Sequence, residues 1–210
     1  MSRRPRQNLA WYRQAAAQGD ADAQFSLGWL YHNGEGVPQD FETAAAWYRQ
    51  AAAQGNADAQ NSLGCLYCKG QGVPQDFKQA VAWYRQAAAQ GYAIAQYSLG
   101  VKHALGSGTP QDFEQAAAWY RLAAAQGDAD AQAALGFLYE SGVGVPHSLQ
   151  VAAAWYRKAA QQGHAIAQYS LGQLYENGEG VPKDLEQAVA WYRQAAEHGH
   201  TEAQYALQLL

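Results

Sequence analysis

At 210 residues and 22.8 kDa, with a formal net charge of -4 and a pI near 5.8, the chain lacks the broad basic footprint that nucleic acid or acidic lipid requires. Its 49% hydrophobic content is inflated by alanine and only 15% of its residues are charged, a composition that describes a soluble chain with a mild surface. No apolar run is long enough for a membrane span, the N-terminus lacks the apolar stretch of a secretory signal, and two cysteines cannot make a disulfide framework, so a reducing, cytoplasmic setting is expected.

The tripeptide Trp-Tyr-Arg recurs at Trp11, Trp47, Trp83, Trp119, Trp155 and Trp191, 36 residues apart each time, always leading into an alanine-rich run. A period of this length marks a stacked repeat array, so the chain reads as one unit copied. Arg3, Arg4 and Arg6 read as a frayed, solvated terminus. Residues 1–19 form the second half of a unit, through Leu9, Trp11, Tyr12 and Ala15 to Gly19. The first full unit opens at Asp20, which caps a helix carrying Asp22 in its first turn. This helix, A, runs through Tyr31 and ends near Asn33, where Gly34 can take the left-handed conformation. After Gly34-Glu35-Gly36-Val37-Pro38-Gln39, Asp40 caps helix B, which runs through Trp47 and Tyr48 to Ala52 and stops at Gly55. Each helix comes to roughly a dozen residues, or about 18 Å. The short connection makes the pair antiparallel, and such a hairpin buries its apolar face only by stacking on copies of itself. The pattern returns from Asn56, Tyr92, Asp128 and His164 and closes with a lone A helix from His200 to Leu210. The expectation is an all-α chain forming one array over 1–210, with full units 20–55, 56–91, 92–127, 128–163 and 164–199 between partial units 1–19 and 200–210.

Columns in which the copies agree mark the core. In helix A, Ala23, Leu27, Leu30 and Tyr31 fall at i, i+4, i+7 and i+8, one helical stripe. Beside them Gly28, Gly64, Gly100, Gly136 and Gly172 permit close helix approach, while the last A helix carries Gln208 in that column. In helix B the matching stripe is Ala44, Tyr48, Ala51 and Ala52, with Trp47 flanking it. Burying a large aromatic contributes roughly 1.5 to 3 kcal/mol, so the tryptophan-tyrosine pairs read as mortar between repeats and not as a ligand cage. Arg13, Arg49, Arg85, Arg121, Arg157 and Arg193 recur once per unit, too sparse for an anion site, and read as stacking or surface-pairing groups. The third full unit departs from the pattern: Lys102-His103 replaces Leu-Tyr, and Thr109-Pro110 replaces Val-Pro. A lysine in a core leucine column loses burial and snorkels to water, so changing Lys102 to Leu and His103 to Tyr should raise stability.

The unit Ala-x-Ala-Gln-x-x-Leu-Gly-x-Leu-Tyr-x-x-Gly-x-Gly-Val, continued by Asp, paired alanines, Trp-Tyr-Arg, alanines and Gln-Gly, resembles the Sel-one-like repeat, a relative of the tetratricopeptide repeat, over residues 9 to 210. The resemblance implies a right-handed α-solenoid whose A helices line the concave face. It also implies a scaffold or adaptor that assembles signalling, secretion or host-interaction complexes in bacteria and quality-control complexes in eukaryotes.

Four drifting columns in helix A, spaced i, i+3, i+7 and i+10, share a face away from the core stripe. They read Asp22, Asp58, Ile94, Asp130, Ile166; Phe25, Asn61, Tyr97, Ala133, Tyr169; Trp29, Cys65, Val101, Phe137, Gln173; and His32, Cys68, Ala104, Glu140, Glu176. Large aromatics rimmed by acids are what a protein-binding surface uses, the first for anchoring and the second for choice of partner. This face, without Ala104 and Ala133, is the expected partner-binding site.

Other motifs are set aside. Cys65-Leu66-Tyr67-Cys68 lies late in a helix and not at a helix N-terminus beside a strand, and His32 and His103 occupy different columns, so reduced thiols and no metal are expected. The Gly-x-Gly turns follow a helix instead of a strand, which is unlike a nucleotide loop. No serine, histidine and acid trio recurs. Penicillin binding has been discussed for cysteine-rich relatives, but this chain lacks their regular paired cysteines. The reading is a protein that is not an enzyme and needs no cofactor, binding neither nucleic acid nor membrane. A third possibility comes from the unpaired first B and last A helices: with Tyr205, Leu207, Leu209 and Leu210 apolar, molecules could associate weakly head to tail or remain monomeric.

Overall fold

A computed structural model describes residues 9–209. Arg3, Arg4, Arg6 and Leu210 lie outside the described residues. Among the described residues there are twelve α-helices and no strand, and successive helices pack on one another from the first through the fifth and from the seventh through the twelfth, so the class is an all-α repeat solenoid. The chain forms two compact units, the first reaching Lys102 and including Gly106–Pro110, the second comprising His103–Leu105 and everything from Gln111.

The first unit holds α1 (Leu9–Ala17), α2 (Ala21–Asn33), α3 (Phe41–Ala53), α4 (Ala57–Lys69), α5 (Phe77–Ala89) and most of α6 (Ala93–Leu105). The second holds α7 (Phe113–Ala125), α8 (Ala129–Ser141), α9 (Leu149–Ala160), α10 (Ala165–Asn177), α11 (Leu185–Glu197) and α12 (Thr201–Leu209). Even-numbered helices are the A helices and odd-numbered the B helices.

Local chemistry sets the helix ends. Asp20, Asn56 and Asp128 each accept the amide N–H three residues on, at 2.8, 2.9 and 2.8 Å. Gly34, at φ 73°, closes α2 in the left-handed conformation and returns its N–H to the Leu30 carbonyl. The Asp40 N–H then donates to the Tyr31 carbonyl at 2.9 Å, while at the far end Gln54 Nε2 donates to Gln24 Oε1 at 2.7 Å. Bonds at both ends make α2 and α3 antiparallel.

The alanine columns, and most of the leucines and B-helix tyrosines, are buried as their periodicity requires, whereas Leu30 and the A-helix tyrosines Tyr31, Tyr67, Tyr139 and Tyr175 are half-buried. Ala44, Ala51, Ala59, Leu63 and Leu66 are fully enclosed around Tyr48 in the first unit, and Ala152, Ala159, Ala167 and Leu171 around Tyr156 in the second. Small residues let the helices approach until a glycine is obligatory: a Cβ on Gly28 would lie 2.5 Å from Tyr48 Cδ1. The second turn glycine fixes how hairpins stack. Gly72 has φ +66°, and a Cβ there would lie 2.1 Å from the Phe41 carbonyl oxygen, at the start of the preceding B helix.

One buried column is polar. Gln24, Gln60, Gln132 and Gln168 are each at most 4% exposed. Each donates Nε2 to the carbonyl eight residues earlier, at 3.0 to 3.2 Å, which pins an A helix to the end of the B helix before it. Their Oε1 atoms accept from Gln54, Gln90, Gln162 and His198, thirty residues on, at 2.7 to 2.9 Å. The amides therefore stitch three successive helices together. The recurring arginines also have a partner: Arg13, Arg49, Arg121 and Arg157 donate to the hydroxyls of Tyr31, Tyr67, Tyr139 and Tyr175 at 2.9 to 3.4 Å.

Lys102 occupies a column in which Leu66, Leu138 and Leu174 are at most 2% exposed, yet it is half-buried with Nζ 4.9 Å from the Phe77 ring centre. The ammonium escapes the core by lying on an exposed aromatic face. Replacing Lys102 by Leu should raise stability by about 1 kcal/mol, the burial gained less a cation–π contact of about 0.5 kcal/mol. An unchanged or lower urea midpoint would place position 102 outside the core.

Candidate partner-binding surface

In the first unit the variable columns split into two kinds. Trp29 and Ile94 are exposed, at 42% and 51%. Trp29 joins Tyr12, Phe25, Ser26 and Leu30 around an apolar cavity of about 270 Å³. Phe25, half-buried, stacks on Tyr48 at 5.7 Å between ring centres. His32 sits edge-on to Phe41 at 5.2 Å and 6.2 Å from Tyr48. Burial, helped by the positive charge of Lys69, holds the His32 imidazole below the ordinary histidine pKa, and its buried Nδ1 has no hydrogen-bond partner.

Asn61 is buried, with Oδ1 unpartnered. Cys65 and Cys68 are half-buried free thiols, their Sγ atoms 3.3 and 3.6 Å from the Tyr84 hydroxyl. Asp22 Oδ1 accepts from Asn56 Nδ2 at 2.9 Å and Asp58 Oδ1 from the Tyr92 hydroxyl at 2.8 Å, each a bond to the next hairpin. Tyr97 and Val101 are half-buried on α6.

The second unit repeats the division. Phe137 and Ile166 are 58% and 60% exposed, and Gln173 is exposed while donating Nε2 to the Tyr169 hydroxyl at 3.0 Å. Tyr169 stacks on His200 at 4.6 Å and lies 5.5 Å from Tyr192. Glu140 accepts the Tyr156 hydroxyl and Glu176 the Tyr192 hydroxyl, both at 2.5 Å. Burial first, and then these carboxylates, push both phenols well above the ordinary tyrosine pKa, so they are donors at neutral pH. Asp130 Oδ1 lies 3.2 Å from His164 Nε2 on the following hairpin.

The face is thus built in rows. The first column and the Trp29, Phe137 and Gln173 positions of the third reach solvent, whereas Phe25, His32, Cys65, Cys68, Glu140 and Glu176 lean on the invariant B-helix tyrosine and support it differently from hairpin to hairpin. Phe25 and His32 enclose Tyr48, two thiols face Tyr84, and single carboxylates take the hydroxyls of Tyr156 and Tyr192. Variation along the chain alone does not separate these supports from the exposed rows, because both drift. The buried glutamine column, which organises the backs of the same helices, lies outside the sequence-derived site altogether.

Among the described residues no three His, Cys, Asp or Glu side chains form a metal-binding cluster, and no helix is long and apolar enough to cross a membrane. No protein of curated function matches the chain. A protective antigen of uropathogenic Escherichia coli with an SLR fold is 41% identical, with a TM-score of 0.92 over 95% of this chain; the chain spans 43% of that antigen's length. A Sel1 repeat protein from Oxalobacter formigenes is 38% identical over 93% of this chain and 81% of its own, at TM-score 0.86. The cysteine-rich protein B of Helicobacter pylori is 25% identical over 63% of this chain and 96% of its own, at TM-score 0.51. The Sel1 repeat profile matches at residues 9–20, 21–56, 57–92, 93–128, 129–164 and 165–200, so the chain belongs to the Sel1 repeat family.

Proposed function

We propose that the chain is a non-catalytic interaction scaffold that holds a segment of a partner protein on the variable face of its A helices. Sel1 repeat proteins generally serve as protein–protein interaction scaffolds. The observation that carries the reading is the exposure of Trp29, Ile94, Phe137 and Ile166 in two columns of helices whose remaining faces are closed by packing. Side chains of this size left in water on each unit supply the anchors that peptide recognition uses. The neighbouring carboxylates already receive tyrosine, asparagine or histidine groups, which suits a fixed charged rim. Head-to-tail association has less support. Docked in register, a second copy's Tyr12 would meet Gln208 where Tyr192 meets Gly172, and even a Cβ on Gly172 would lie 2.6 Å from that ring.

The test is a random-peptide display selection on the native chain, counter-screened against a Trp29→Ala, Ile94→Ala, Phe137→Ala, Ile166→Ala variant. Truncating exposed side chains leaves the fold intact, and circular dichroism verifies it. Selected peptides should bind the variant at least about tenfold more weakly. Peptides that bind both proteins equally would move the site elsewhere.

A further inference from the structure

The A-helix face of the second unit is apolar along its middle and acidic along both edges. Asp130 on α8 and Glu202 on α12 stand in the row nearest the helix N-termini, with Ile166 between them. Phe137 on α8, Tyr169 and Gln173 on α10, and Tyr205 and Leu209 on α12 make the middle rows, Gln173 being the polar member, with Phe137 and Tyr205 58% and 63% exposed. Glu140 and Glu176 close the opposite edge. The edges are ten residues apart on α8, or about 15 Å along the helix. The rows run side by side, because His164 on the α10 cap reaches Asp130 and the His200 ring stacks on Tyr169.

Charge is segregated across the unit. Helices α8, α10 and α12 carry Asp130, Glu140, Glu176 and Glu202 and not one lysine or arginine. Of the unit's lysines and arginines, Arg121, Arg157, Lys158 and Arg193 lie on the B helices α7, α9 and α11, and Lys183 lies in the connection between α10 and α11. Arg157 is engaged by the Tyr175 hydroxyl, and Lys158 lies 4.2 Å from the Trp155 ring centre. The tyrosine bonds at Glu140 and Glu176 use one oxygen of each carboxylate and leave its negative charge in place. The first unit lacks this arrangement: Asp22 and Asp58 edge one side, but His32 and Cys68 stand where the second acidic row would be, and Lys69 and Lys102 lie on the same helices.

Building on the scaffold reading, we propose that the second unit takes a basic amphipathic segment of a partner protein. Apolar side chains of the segment seat on Phe137, Ile166 and Tyr205, and lysines or arginines on either flank meet the two acidic rows. Apolar contact provides the anchor, while the paired rows reject acidic segments and fix the orientation of basic ones.

Three peptides of about 18 residues, roughly 27 Å as a helix, test this with a shared apolar pattern and lysine, glutamine or glutamate at every polar position. Fluorescence anisotropy should show the lysine peptide binding at least about tenfold more tightly than the glutamine peptide, and no binding of the glutamate peptide. Raising NaCl from about 50 to about 300 mM should weaken the lysine peptide by at least about tenfold. Glu140→Gln, Glu176→Gln and Glu202→Gln together should weaken it at least about fivefold, whereas Glu114→Gln, Glu186→Gln and Glu197→Gln, which remove equal charge from the B helices, should change it less than about twofold. A lysine peptide that does not bind, or that responds equally to both triple variants, overturns the proposal. Glutamine or glutamate peptides that bind as tightly and lose affinity on Phe137→Ala overturn the charge assignment but keep the surface. Binding indifferent to Phe137→Ala removes both. A dimer in sedimentation velocity that Phe137→Ala dissolves would give the face to a second copy and overturn the assignment to a partner protein.

Discussion

Gly136→Ala lowers the stability of the second unit by about 2 kcal/mol, although alanine is the better helix former. A Cβ at position 136 would lie 2.5 Å from Tyr156 Cδ1 and Cε1, well inside van der Waals contact. The ring has nowhere to go. Tyr156 is 2% exposed, packed among Ala152, Ala153, Ala159 and Ala160, and its hydroxyl is tied to Glu140. Overpacking of this severity costs about 3 kcal/mol, against which the gain in helix propensity is about 1 kcal/mol. Thermal and urea unfolding followed by circular dichroism would measure the difference. If the clash is the cause, Tyr156→Leu in the same chain should couple favourably with Gly136→Ala by at least about 1 kcal/mol. A Gly136→Ala variant that melts higher than the parent would mean that the helices do not approach as closely as described.

Much of the fold was legible because each level of the sequence repeats the same instruction. Asp20 and Asp40 sit where caps belong, Gly34 where a left-handed residue belongs, and Leu27 and Tyr48 recur at helical spacing on faces that then turn out buried. Column variation puts Trp29 and Phe137 on an open face, and both are exposed. The drift of Phe25, Asn61, Cys68 and Glu140 suggests the same open face, and here the structure differs. These residues stand against Tyr48, Tyr84 or Tyr156 or are enclosed outright, so their variation reflects several ways of supporting one ring. Pattern shows that a position is free to change; it does not show whether a neighbour or solvent accommodates the change. Lys102 illustrates the converse, a polar residue in a core column whose long chain carries its charge out to the Phe77 ring.

The glutamine ladder escaped sequence reading for a related reason. A polar side chain in an amphipathic helix is assigned to the surface by periodicity, and only its recurrence at 24, 60, 132 and 168, paired with Gln54, Gln90 and Gln162 thirty residues on, could have signalled burial. Its energetic weight follows from its bonds. In the second unit Gln132 is 4% exposed, donates to the Ala124 carbonyl at 3.2 Å and accepts from Gln162 at 2.8 Å. Gln132→Ala removes both bonds, at about 1 kcal/mol each, and opens a gap between α7, α8 and α9 for about 1 kcal/mol more, so a loss of about 3 kcal/mol is expected. It should not be larger. The Ala124 carbonyl keeps the Gly127 N–H, and Gln162 is exposed and can turn its amide to water, so neither group is left bare. Gln132→Met separates the two contributions, since it fills the space without making the bonds and should cost about 1 kcal/mol after its own apolar gain. If methionine were as stable as glutamine and only alanine destabilised the chain, the column would be packing alone. Amide hydrogen exchange gives the second readout: with the stitch cut at Gln132, the N–H groups of the last turn of α7 should exchange faster while those in the middle of α8 stay protected.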